Sequence, residues 1–148
     1  DDILKLKGVG HYTAAAIGSF AFNLPVAVVD GNVYRVLSRY FGIATPINST
    51  EGVKEFAALA QSLLPADQSA AYNQAIMDFG AIQCTPASPR CLLCPLAESC
   101  SALRTDRTSL LPIKNKTLKI QTRHFAYVYL RCGGMTAIRW RQQRWAVR

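Results

Sequence analysis

No stretch of this chain of 148 residues approaches the run of about 20 apolar residues that a membrane-crossing helix needs. Gly18, Ser19, Asn23 and Asp30 break the longest apolar patches, which excludes a helical membrane span and leads us to expect a soluble protein. Acidic residues are scarce at one end: residues 101–148 hold 1 Asp or Glu against 11 Lys or Arg, whereas residues 1–100 hold 8 against 6. All the excess positive charge behind the net +8 is therefore C-terminal. Such a basic stretch reads equally as nucleic-acid affinity, a solvated linker or part of a domain whose acidic portion is elsewhere, so nucleic-acid binding has to be argued from a site. Histidine is scarce too, and neither of the 2 present stands among the clustered cysteines. The sequence begins without methionine, inside what reads as a helix end, so any targeting segment is expected upstream. With half of its residues hydrophobic, the chain can bury one sizeable core but is short for two complete domains.

Cysteine, by contrast, is dense near the middle. Cys84, Cys91, Cys94 and Cys100 follow the spacing Cys-x6-Cys-x2-Cys-x5-Cys, which places four thiols within seventeen consecutive residues. Four sulfurs without histidine suit a tetrahedral zinc or an iron-sulfur cluster. Structural zinc sites usually join two Cys-x2-4-Cys knuckles, and only Cys91 to Cys94 has that form, so the spacing favours iron-sulfur and leaves zinc open. Disulfide pairing usually accompanies a small, loop-rich secreted domain. Helical stretches rich in Leu, Ile, Val and Ala surround these cysteines instead.

Local signals make the first hundred residues nearly all helix. Residues 4–10 end a short segment and turn, and Tyr12 to Phe22 is helical. Asn23-Leu24-Pro25 stops that helix, Val26 to Val29 is a short extended approach, and Asp30 is placed to N-cap the next helix, with Gly42 as its stop. Asn48 and Glu51 have capping-box spacing ahead of a helix to about Leu64, and Asp67 is placed to cap another to about Ile82. Arg35 and Arg39, one turn apart, read as DNA-facing or solvated, with a structural role also open for Arg39. From Ser101 to Gln121 periodicity fades and Pro112 interrupts, as in a connector. His124 to Arg131 then alternates like a strand, Gly133-Gly134 offers a tight turn, and Met135 to Arg141 can return.

Two further features carry chemistry. Gly8-Val9-Gly10 at the mouth of a helix lets backbone amides approach an anion such as phosphate, although a Gly-x-Gly turn alone is weak evidence. A carboxylate fixed at a helix start, as Asp30 is, sits where the dipole favours negative charge, although a purely structural cap is the commoner role.

Taken in order, Leu6-Lys7-Gly8-Val9-Gly10-His11-Tyr12-Thr13-Ala14, Val29-Asp30-Gly31-Asn32-Val33, Asn73 to Ala81 and the four cysteines resemble the MutY-type adenine DNA glycosylases, among the helix-hairpin-helix base-excision enzymes. Residues 4–100 carry these motifs. The resemblance implies a mainly α fold: residues 1–100 as the C-terminal part of a helix-hairpin-helix glycosylase domain with an iron-sulfur cluster subdomain, 101–121 as a connector, and 122–148 as the first β-hairpin of a truncated Nudix-like α+β domain. It implies a 4Fe-4S cluster on Cys84, Cys91, Cys94 and Cys100, with Cys132 a stray thiol. Gly8, Val9, Gly10 and His11 would hold a DNA phosphate, and Arg90 another. Asp30 would stabilise an oxocarbenium-like transition state, with Asn32 positioning and Tyr12 near the sugar. Endonuclease III-like relatives carry lysine where Tyr12 stands, so the match implies monofunctional hydrolysis without a Schiff base. Lys7 departs from the family's usual proline.

The implied partner is double-stranded DNA containing A:8-oxoG or A:G mispairs, bound by a monomer with no membrane. The implied location is cytoplasmic and nucleoid-associated in a bacterium, or nuclear or mitochondrial in a eukaryote. The family's general acid is a glutamate upstream of residue 1, so the 148 residues alone are expected to be inactive or nearly so. Two rivals stand beside this reading: another mismatch glycosylase of the superfamily, such as a thymine-directed one, and a non-catalytic iron-sulfur DNA-binding module.

Overall fold

Short polar caps and positive-φ residues divide the chain into helices. The computed structural model describes residues 2–115 and 131–136. A 3-10 turn over Ile3–Lys5 passes through Gly8, at φ +88°, into α1, His11–Phe22. Asn23 ends α1 in the left-handed region at φ 49°. Its side chain then reaches the fourth helix, Nδ2 donating to the Asp67 carbonyl at 3.3 Å and Oδ1 accepting from the Ala70 amide at 3.2 Å. The extended approach over residues 25–29 leads to Asp30 and α2, Gly31–Phe41, which stops at Gly42 with φ +74°. Next come α3, Thr50–Leu63; α4, Ser69–Ile82; and the single turn α5, Ser101–Arg104.

Two caps differ from their sequence reading. Ser49, not Asn48, caps α3, its Oγ accepting from the Gly52 amide at 2.9 Å. Asn48 has both a donor and an acceptor, and it spends them on Asn115: Nδ2 donates to that carbonyl at 2.9 Å and Oδ1 accepts from that amide at 2.8 Å. A hydroxyl cannot close such a paired bond, so the two neighbours divide the work by chemistry. Asp67 does not cap α4 either. Gln68 holds the cap position without a side-chain bond, and Ser69 Oγ donates back to the Pro65 carbonyl at 3.1 Å.

The core forms where α2 meets α3. Val33 and Leu37, one turn apart on α2, pack with Ile47, Phe56 and Ala60, and Ala27, Val29, Ile76 and Met77 close around them. Tyr34 sets its ring edge to face against Phe56, centroids 5.2 Å apart. The stretch from Ser101 was expected to be a connector, but its described part belongs to the helical unit. Ala102 and Leu111 are buried there, and the Ile113 carbonyl accepts from the Ile47 amide at 3.0 Å.

A second unit covers the C-terminal residues. Its described part is an antiparallel pair, β1 Arg131–Cys132 and β2 Met135–Thr136, with Cys132 opposite Met135. Gly133, at φ +59°, supplies the left-handed residue that a two-residue hairpin turn requires. The remainder of the expected strands, residues 124–130 and 137–141, lies outside the described residues. Among the described residues no helix is long and apolar enough to cross a membrane.

Two glycines make a test of this packing. A Cβ on Gly52 would run into the Pro46 carbonyl, whereas one on Gly18 would meet nothing closer than the Leu24 side chain at 3.4 Å. Gly52→Ala should lower unfolding free energy by about 1–3 kcal/mol in urea titration. Gly18→Ala should leave it unchanged or raise it by up to about 1 kcal/mol.

Candidate functional site

Three features line up along the order in which the helices begin and end. At the first, Gly10 caps α1 with no side-chain bond to the helix N-terminus. A Cβ on Gly8 or Gly10 would meet nothing within 4 Å, so the approach to these amides is open. His11 and Tyr12 form the first turn of α1, with Tyr12 49% exposed. Lys7 is exposed beside them.

At the second, Asp30 caps α2 with its carboxylate fixed at both oxygens. Oδ1 accepts from the Val33 amide at 2.8 Å, and Oδ2 accepts from Asn32 Nδ2 at 2.9 Å. Asn32 is itself held: its Oδ1 accepts from Arg35 Nη2 at 2.7 Å. Gly80 of α4 lies so close that a Cβ there would meet the Asn32 Cβ at 2.7 Å and its carbonyl oxygen at 3.0 Å. Asp30 and Asn32 remain partly exposed. The arrangement gives an oriented carboxylate at the protein surface, where it can face a developing positive charge.

At the third, Cys84, Cys91, Cys94 and Cys100 line one cavity with Val36, Phe79, Leu96, Ala97 and Leu103. The shared space is about 430 Å³ including its open mouth. Among the described residues no three His, Cys, Asp or Glu side chains are drawn close enough to hold a single metal ion. All four cysteines are free and partly buried. Burial pushes the Cys91 thiol above its ordinary value, and repulsion from Cys84, Cys100 and Cys94 adds to this while Arg39 opposes it. Arg90 is exposed at the rim, its carbonyl accepting from Gln83 Nε2 at 2.6 Å.

Arg35 and Arg39 are neither solvated nor turned outward. Arg39 is 3% exposed. Its Nε donates to the Leu111 carbonyl at 3.0 Å, Nη1 to the Thr85 carbonyl at 2.7 Å and Nη2 to the Pro86 carbonyl at 2.9 Å. Nη1 also lies 3.4 Å from Cys84 Sγ. Arg35 donates to the Cys84 and Gly80 carbonyls, each at 2.7 Å, besides Asn32. Burial lowers the Arg35 pKa from its usual value; Cys84 and Asp30 oppose that shift, and Arg39 adds to it. On α2 Asn32, Arg35, Ser38 and Arg39 recur at i, i+3, i+6 and i+7, a polar stripe that by sequence alone reads as a solvated face, yet Arg35, Ser38 and Arg39 are buried.

No family model matches the chain. Curated relatives include adenine DNA glycosylases from bacteria, a plant and mammals. That of Buchnera aphidicola from Schizaphis graminum is 36% identical over 78% of this chain and 33% of its own length. Among solved structures, a thermostable thymine-DNA glycosylase superposes with a TM-score of 0.63 at 40% identity, over 70% of this chain and 47% of that one. A non-covalent endonuclease III–DNA complex superposes with a TM-score of 0.60 at 29% identity, over 72% and 48%. The chain thus spans about a third of the length of this curated relative and about half of these solved structures. Over the part it spans, the chain resembles adenine DNA glycosylases in sequence and shares the fold of the helix-hairpin-helix DNA glycosylases.

Proposed function

We propose that this chain supplies the carboxylate-bearing and cysteine-bearing part of a monofunctional base-excision enzyme that removes adenine mispaired with 8-oxoguanine or guanine in double-stranded DNA. The observation that carries this reading is the Asp30 carboxylate, fixed at both oxygens at a helix start yet open to solvent.

A glycosylase must extrude its target nucleotide, and holding the backbone beside it with neutral amides secures the strand without reading sequence. Gly8, Gly10 and His11 take that role at the uncapped start of α1, beside Val9, whose own amide donates to the Leu6 carbonyl at 3.1 Å. As the N-glycosidic bond breaks, positive charge builds on the sugar, and the Asp30 carboxylate stabilises it until water adds at C1′. Asn32 keeps the carboxylate from rotating. Tyr12 stands where a lysine would form a Schiff base, so strand cleavage by that route is closed.

A 4Fe-4S cluster fits the third feature. Four thiols surround a cavity, and the adjoining Arg39 is a buried cation whose side-chain partners are carbonyls and a thiol. Buried charge calls for a counter-charge, which iron held by four thiolates supplies. Bound there, the cluster would order residues 85–90 and give Arg90 a fixed place beside a phosphate; its contribution is structural and electrostatic. In this reading the hairpin at Gly133 opens a Nudix-like domain, and 8-oxoguanine recognition rests on the resemblance of that stretch in sequence.

A thymine-directed mismatch enzyme is the second reading, favoured by the 40% identity to a thymine-DNA glycosylase. Base release from A:8-oxoG and from T:G duplexes by the full-length protein decides between the two, with adenine release expected. In that protein Asp30→Asn should slow release by about 100- to 1,000-fold while duplex binding persists. Unchanged release would remove Asp30 from the chemistry. Anaerobically purified protein should hold about four irons and four sulfides per chain. Arg39→Met should lower that content and destabilise the fold by about 3 kcal/mol, because buried carbonyls lose their donor; stoichiometric zinc would point instead to a DNA-binding module.

A further inference from the structure

The segment Pro25–Val28 delivers Asp30 to α2 in extended form, and among the described residues it has no strand beside it. Two side-chain amides take its peptide groups instead. Gln61 of α3 donates from Nε2 to the Pro25 carbonyl at 2.9 Å and accepts at Oε1 from the Ala27 amide at 3.0 Å. Asn73 of α4 donates from Nδ2 to the Val26 carbonyl at 2.9 Å and accepts at Oδ1 from the Val28 amide at 3.0 Å. Extended backbone turns the polar groups of successive residues to opposite edges. Pro25 and Ala27 therefore mark one edge, Val26 and Val28 the other. A primary amide carries a carbonyl and N–H donors in one plane, so each side chain completes one edge as a neighbouring strand would.

Asn73 does more than Gln61. Its Nδ2 also donates to Ser19 Oγ in α1 at 2.8 Å. Asn73 is 2% exposed, and Ser19 and Val28 are buried with it. A buried amide costs stability unless its bonds are made, and an apolar side chain of similar size would avoid that cost. Here one side chain ties together α1, whose start faces the proposed phosphate, the approach to Asp30, and α4, which runs on to Cys84.

We infer that Asn73, assisted by Gln61, is a positioning residue for Asp30. It touches no reacting atom. It fixes the backbone two residues before the carboxylate, so that the helix cap forms in one place relative to the hairpin helix. The inference rests on the reading of Asp30 as the carboxylate that faces the sugar. Catalytic groups must be held closely, and a misplacement of about 1 Å can cost about 100-fold in rate.

The test is single-turnover base release by the full-length protein on the mispair that the wild type processes, with rates expressed per active site by titration and duplex affinity measured alongside. Asn73→Asp keeps shape and acceptor but removes both donors; Gln61→Ala, on the exposed side, leaves the core intact. Rates per active site should fall by about 100-fold for Asn73→Asp and about tenfold for Gln61→Ala, with affinity within about twofold of wild type. Wild-type rates per active site, with only the melting temperature lowered, would overturn the inference and leave a packing role. Should Asn73→Asp fail to fold, Gln61→Ala alone decides. Asp30→Asn in the same assay separates the two layers: if it releases base normally, the underlying reading fails. If it is silent while Gln61→Ala is unimpaired, only the positioning role fails.

Discussion

Two guanidinium groups inside the protein hold its functional parts in register. Arg35 and Arg39 project one turn apart from α2 and between them collect the carbonyls of Gly80, Cys84, Thr85, Pro86 and Leu111. These carbonyls come from the last turn of α4, where helix bonding runs out, from the loop that follows it and from the stretch after α5. Arginine suits the task because its planar fork aims several donors at once, where a lysine offers a compact point charge. Desolvating such a cation is costly, and the ring of carbonyl dipoles and the thiol beside Arg39 offset part of that cost.

The same helix begins with Asp30. A single rigid element therefore sets both where the carboxylate stands and where the cysteines gather, and Asn32 is the link, bonded to Asp30 on one side and Arg35 on the other. Gly80 lets α4 approach Asn32 closely enough for this contact. The upstream side is fixed independently, through the side-chain amides that border the extended approach. Asp30 is thus constrained from both directions along the chain, which suits the role proposed for it.

The hairpin at Gly8–Gly10 belongs to a different kind of structure. Its open glycines and the uncapped start of α1 leave backbone donors unspent, which is unfavourable for a helix alone and useful for one that meets an anion. Adenine DNA glycosylases recur among the relatives, and a thymine-DNA glycosylase and an endonuclease III–DNA complex superpose on the same helices, so one scaffold is shared by enzymes named for different reactions.

Local chemistry was legible in the amino-acid sequence. The ends of α1 and α2, the Asp30 cap, the Gly42 stop and the turn at Gly133 follow from backbone preferences that act over a few residues, and the four-cysteine spacing is explicit. Where neighbouring residues compete for one local role, the sequence is ambiguous: Ser49 took the cap because Asn48 found a pair of backbone partners at Asn115, far away in the chain. The inward turn of Arg35 and Arg39, the docking of residues 101–115 and the amide clamps of Gln61 and Asn73 were decided only by the tertiary structure. Each depends on unsatisfied backbone groups that distant segments bring together, and a polar side chain reveals its partner only once the fold has placed a carbonyl or an amide within its reach.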